Sequence, residues 1–160
     1  MPKTRKTWRQ KLEENHPAHG KIVEVPLKMQ KGFGTGKMLI AKPLDVNALI
    51  RKVQKGKLVT VPQIMDKLAK DAHASCACPM TTGIFLRIVA EVAEEDLRNG
   101  KTEVTPYWRV LKFDGSLNIK FPGGTQAQAA RLKEEGHSIE PGRGRKPPRV
   151  KNFENSLQKL

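Results

Sequence analysis

Apolar positions recur at helical spacing in three stretches of the first hundred residues. Leu44, Ala48, Leu49 and Val53 form one side of a short helix over 44–53. Ile64, Met65, Leu68 and Ala69 mark an amphipathic helix over 61–70, with Thr60 placed to cap it and Pro62 suited to its first turn. A longer helix starts near Thr81 and stops at Asn99-Gly100, with Ile84, Phe85, Ile88, Val89, Val92 and Leu97 as its expected buried stripe. The pattern then switches. Trp108 to Phe113 alternates as a strand, Asp114-Gly115 supplies a turn, and Leu117 to Phe121 returns as the second arm of a hairpin. After Pro122-Gly123-Gly124, Thr125 is the expected cap of a last helix, QAQAARLKEE, closed by Gly136. Two helices joined by a polar link and followed by a hairpin predict a mostly α domain with a small β-hairpin, a winged helix-turn-helix-like fold with basic flexible ends.

Charge changes this picture at the ends. The 160 residues carry a net +14, but residues 38–140 account for only +3, against +6 in residues 1–37 and +5 in residues 141–160. The expected organisation is therefore a basic, irregular N-terminal extension (1–37), a globular domain (38–140) and a basic C-terminal tail (141–160). Basic ends neutralise phosphates and release counterions, which makes nucleic acid, and double-stranded DNA first, the expected partner. No apolar run approaches the ~20 residues of a membrane span, and MPKTRKTWRQ has no apolar signal core. The expectation is a monomer that is cytoplasmic and nucleoid-associated, with no membrane partner.

Candidate chemistry is sparse. The cluster KGFGTGK lacks the Walker spacing, since Lys31 and Met38 stand where a glycine and a Ser/Thr are needed, so it reads as a flexible loop. His73, Cys76 and Cys78 put three soft ligands within six residues, but a zinc site needs a fourth ligand and wider cysteine spacing. No metal and no cofactor are expected. The long helix has a neutral or basic entry (Thr81, Thr82, Gly83, Arg87) and an acidic exit (Glu91, Glu94, Glu95, Asp96), the polarity of a helix whose positive end faces phosphates. Those four entry residues, with Lys112 and Gly115 of the expected wing, are the candidate DNA contacts. In the tail, Arg143, Gly144, Arg145 and Lys146 precede prolines, similar to an AT-hook, where arginines enter a narrow minor groove. Such an arm also binds phosphate while disordered.

Four pieces in register carry a family resemblance over about Val53 to Ile139. They are VQKGKLVTVPQI, TPYWRVLKFDGSLN, FPGGTQAQAARLKEEGH, and Asn99 eight residues before Tyr107. Together they resemble the DNA-binding domain of alkylguanine-DNA alkyltransferases, and more closely their non-enzymatic alkyltransferase-like relatives. The resemblance implies a helix entering the minor groove, an arginine holding the gap, and a damaged guanine flipped into a pocket. In the enzymes a cysteine in a Pro-Cys-His-Arg motif, activated by histidine and glutamate, accepts the alkyl group.

Here the cysteine position is Tyr107 and the histidine position is Trp108. A tyrosine hydroxyl near pKa ~10 is a poor nucleophile without a base, and Trp108 is not one. The matched glutamate, Glu135, has no histidine to orient. The expectation is a non-catalytic protein that senses alkylated guanine and hands lesions to repair proteins, with a base pocket built from Tyr107, Trp108, Arg109, Asn99 and Glu135. On a strand only one of Tyr107 and Trp108 would face such a pocket, and Tyr107 is the one expected there. Val61 stands where the family has a tyrosine, and Arg87 is the sole arginine available as a finger. The alternative is a general DNA- or RNA-binding module without lesion recognition. A further reading makes Cys76 or Cys78 a displaced alkyl acceptor.

Overall fold

The structure, a computed structural model, describes residues 5–160. It is mostly α-helical with short strands. The elements in chain order are α1 (Trp8–Glu13), β1 (Ile22–Glu24), α2 (Gln30–Phe33), β2 (Lys37–Leu39), α3 (Pro43–Arg51), β3 (Val59–Thr60), α4 (Val61–Asp71), β4 (Cys76–Ala77), α5 (Pro79–Arg98), β5 (Val110–Leu111), α6 (Gly124–Glu134), β6 (Ile139–Glu140) and β7 (Arg149–Val150).

The core is organised around α5. Phe85, Leu86, Val89, Ala90 and Val92 are buried against α1, α3 and the segment after Thr105. The start of α4 is set by a capping box. The Thr60 hydroxyl accepts from the Gln63 amide at 3.4 Å, and the Gln63 side chain accepts from the Thr60 amide at 2.9 Å, so two orphan donors of the first turn are satisfied. Strand β3 pairs in parallel with β5, Val59 opposite Val110, which brings the start of α4 beside the TPYWRV segment. A three-stranded sheet ordered β1-β2-β4 covers the other side, with β1 antiparallel to β2 and β2 parallel to β4.

Three sequence expectations need correcting. The chain before residue 37 is not irregular: α1, β1 and α2 form there, and Leu12 and Val25 are buried. The expected hairpin over 108–121 is absent as a ladder. Residues 107–109 make a single 3₁₀ turn, and the Asp114-Gly115 turn is closed by Lys112 N donating to Ser116 O and Gly115 N donating to Lys112 O, both at 3.0 Å. Beyond it the chain turns to another partner: Leu117 N donates to Pro148 O, and Val150 N to Gly115 O. The small hairpin of the fold is instead β6–β7, Ile139 opposite Val150. Lastly, Thr125 does not cap α6. That position falls to Gly123, at φ 76°, where a Cβ would come within 2.6 Å of Ala127.

The basic tail is likewise part of the fold and not a disordered arm. Val150 and Phe153 are buried in the main core, and Gln158 bonds back to Gln54 and Lys52. Gly115 packs so closely on the Phe153 ring that a Cβ there would approach to 2.3 Å, at a φ of 85° that side chains rarely adopt. Phe153→Ala should therefore lower stability by about 3 kcal/mol in urea unfolding, whereas a free tail would tolerate the change without effect.

Candidate nucleic-acid interface

Four of the five residues expected to form a base pocket, Tyr107, Trp108, Arg109 and Glu135, lie together, and they are packed against one another. Both Tyr107 and Trp108 are buried, because a 3₁₀ turn does not alternate faces as a strand does. Tyr107 is only 1% exposed, and its ring meets Trp108 and Phe121 edge-on at centroid distances of 5.4 and 5.1 Å. Its hydroxyl donates to Glu94 at 2.5 Å, and Arg131 donates to the same carboxylate oxygen at 2.7 Å. Burial, and then the hydrogen bond to Glu94, push the Tyr107 hydroxyl well above its ordinary pKa. The Tyr107 hydroxyl is thus less nucleophilic than that of a free tyrosine.

Glu135 is not idle. It accepts from Trp108 Nε1 at 2.8 Å and from Arg109 Nε and Nη2 at 2.8 and 2.9 Å, while Arg109 Nη1 donates to Val53 O at 2.6 Å. Burial pushes the Glu135 carboxyl up, but the Arg109 and Trp108 donors outweigh it and hold the pKa below the usual value. Asn99 is apart from this cluster, exposed at the C-terminal cap of α5.

A sizeable cavity lies elsewhere. A groove of about 1000 Å³ is lined by the first turns of α5 and the segment Lys112–Lys120, together with Lys6, Trp8 and Lys11 and with Val61 and Pro62. Its basic side chains are Lys6, Lys11, Arg87, Lys112 and Lys120, against one carboxylate, Glu14, which is paired with Lys6. Trp8 lies between two cations: Lys11 Nζ is 4.4 Å and the Arg87 guanidinium 5.5 Å from its ring centroid. Helix α1 is held there by Arg9, whose guanidinium donates to Asp96 at 2.5 Å.

The sequence-derived DNA contacts divide accordingly. Gly83, Arg87 and Lys112 line the groove. Thr81 is half-buried, its hydroxyl 3.3 Å from Cys78 O. Thr82 is withdrawn: it is buried and its hydroxyl donates to Cys78 O at 2.8 Å. Gly115 is also withdrawn, covered by Phe153. Arg143, Arg145 and Lys146 are exposed on the β6–β7 loop, away from the groove lining, where Lys146 N donates to Arg143 O at 2.9 Å and pins the loop.

Sequence reasoning missed Trp8, Met80, Ile84 as an exposed residue, Phe113 and Ile119, all of which line the groove. Phe113 and Ile119 each stand within a residue or two of a lysine outside any helical stripe, and that pattern was the available signal. Cys76 and Cys78 are free thiols, both half-buried, and burial followed by the neighbouring Cys78 pushes the Cys76 thiol up, against a thiolate role. Among the described residues, no group of three or more His, Cys, Asp and Glu side chains is placed to hold a metal ion, and no helix is long and apolar enough to cross a membrane.

No family model matches the chain, and no curated protein does either. Among solved structures, it is similar to S. pombe Atl1 in complex with damaged DNA containing O6-carboxymethylguanine, at 19% identity and a TM-score of 0.48. It is similar also to S. pombe ATL in complex with DNA, at 18% identity and a TM-score of 0.46. In both, the match covers 74% of this chain and 94% of the other.

The Glu135 geometry makes a stability prediction. A carboxylate whose folded pKa is lowered contributes stability above its unfolded pKa and loses it as pH falls through the folded value. Glu135→Gln should cost about 3 kcal/mol at pH 7, because Arg109 is left buried without its counter-charge. The gap to the parent protein should shrink in melts taken below the usual carboxylate pKa of ~4.3, where the parent is losing the same contribution.

Proposed function

We propose that the chain is a non-catalytic duplex-DNA-binding protein of the alkyltransferase-like kind, with alkylated guanine as its preferred target and repair proteins as its downstream partners. The observation that carries the DNA-binding part is the groove, where five cations meet a single, already paired carboxylate. The N-terminal end of α5 opens beside it, so the helix dipole adds to the attraction for phosphate. The alkyltransferase-like part rests on the four sequence pieces in register from Val53 to Ile139. The non-catalytic part rests on Tyr107, which is buried, hydrogen-bonded to Glu94 and without a base to activate it.

One observation favours a second reading, a general nucleic-acid binder without lesion recognition. The aromatic cluster around Tyr107 is closed, so a flipped base has no space at the position where the resemblance would put it. In this reading the repair scaffold keeps its grip on the phosphates and has filled its base site.

Competitive binding of one duplex, with and without a single alkylated guanine and at two salt concentrations, separates the readings. DNA binding predicts an affinity that falls steeply with salt, and Lys112→Ala with Lys120→Ala should reduce the slope of log K against log salt by about 2. Tighter binding of the lesion supports the first reading, and equal affinity leaves the second. Structured RNA outcompeting both duplexes would move the partner class from DNA to RNA. Salt-insensitive binding would overturn both.

A further inference from the structure

Four of the large apolar side chains that this protein leaves exposed gather in one place. Met80 (69% exposed) and Ile84 (53%) are four residues apart and so share a face of α5, and Phe113 (75%) and Ile119 (64%) stand on the segment across the groove. All four line the groove together with the lysines. Scattered exposed apolar residues are ordinary, but a group converging on one concave surface marks a binding surface.

The occupant must match both parts of this surface. It has to be anionic on the outside, to meet Lys6, Lys11, Arg87, Lys112 and Lys120, and flat and apolar inside, to meet Phe113 and Ile84. Duplex DNA has that layout: phosphates flank stacked bases, and apolar side chains entering from the minor groove part the stack and kink the helix. The support is firm where a wedge needs it. The Phe113 turn is closed by Lys112 N donating to Ser116 O, and Gly115 rests directly on the Phe153 ring.

We propose that Phe113, with Ile84 on the opposite wall of the groove, is an apolar wedge that enters between adjacent base pairs and unstacks them when the protein binds duplex DNA. The inference rests on the DNA-binding reading above and deepens it: the lysines position the duplex, and the apolar side chains deform it. Deformation by a wedge is cheapest at pyrimidine–purine steps, so sites containing TA or CA should be preferred over stiff A-tracts whether or not a lesion is present.

The test uses the full chain and a duplex carrying a fluorescent adenine analogue at a central TA step, whose emission rises on unstacking. The parent protein should bind with a rise in emission. Phe113→Ala should weaken binding about tenfold and remove the rise, with the salt slope and melting temperature of the parent, since this side chain is exposed and uncharged. Lys120→Ala should lower the salt slope and keep the rise. The wedge is overturned, and DNA binding stands, if the parent binds without a rise or if Phe113→Ala and Ile84→Ala both behave as the parent does. If the parent binds no duplex but binds vesicles containing anionic phospholipid, the wedge and the reading beneath it fall together.

Discussion

The buried ion pair between Arg109 and Glu135 is the joint on which the rest of this molecule depends. Its side chains are mostly buried, so each charge has been taken out of water and must be compensated by the other and by surrounding donors and acceptors. That compensation draws in three distant parts of the chain: Val53 O just beyond α3, the Tyr107–Arg109 turn, and the end of α6. Together with the β3–β5 pairing it fixes where α4 begins and where the chain leaves for Lys112. The groove is shaped as a result, with one wall on α5 and the other on a segment that leaves this joint.

The same packing closes the interior around Tyr107 and Trp108. Two large aromatic side chains stand side by side there, and protein interiors fill space to crystal-like density. Here the added rings meet each other and Phe121 edge-on, while the Tyr107 hydroxyl and the Trp108 N–H each find a carboxylate. Arg131, which joins the Glu94 end, also lies 4.6 Å from the Trp108 ring centroid, so the cluster is electrostatically closed as well as sterically full. The exposed apolar side chains of the groove, Met80, Ile84, Phe113 and Ile119, lie outside this cluster.

What was legible in the sequence was local. The Thr60 cap, the Asn99-Gly100 stop and the periodicity of α4 and α5 lie within a few residues of the structure they produce, whereas α3 buries Val46, Leu49 and Ile50 and leaves Leu44 and Ala48 of its expected apolar side exposed. What was not legible depended on partners far along the chain. Strands of two or three residues such as β1, β4 and β7 carry too little pattern to declare themselves, and each forms because a distant edge is waiting. The two basic ends looked unstructured because lysines and arginines outnumber the few anchors, Leu12, Val25, Val150 and Phe153, that decide their fate. The groove is assembled from α1, the start of α4, α5 and Lys112–Lys120, so no single stretch could announce it, and Ile84 misled because its spacing fits the buried stripe although its side chain faces outward.

The long reach of the C-terminal segment also sets an order of events during synthesis. Gln54 N is capped by the side chain of Gln158, and Leu58 pairs with Ser156 and Leu157, contacts that span about a hundred residues. Helices α3 to α5 can form as they emerge from the ribosome, but the edge at Leu58 stays open until residue 158 is available to close it. For most of its translation the chain therefore carries an unpaired strand edge beside a growing hydrophobic core, and nascent-chain chaperones would have their longest opportunity at that edge.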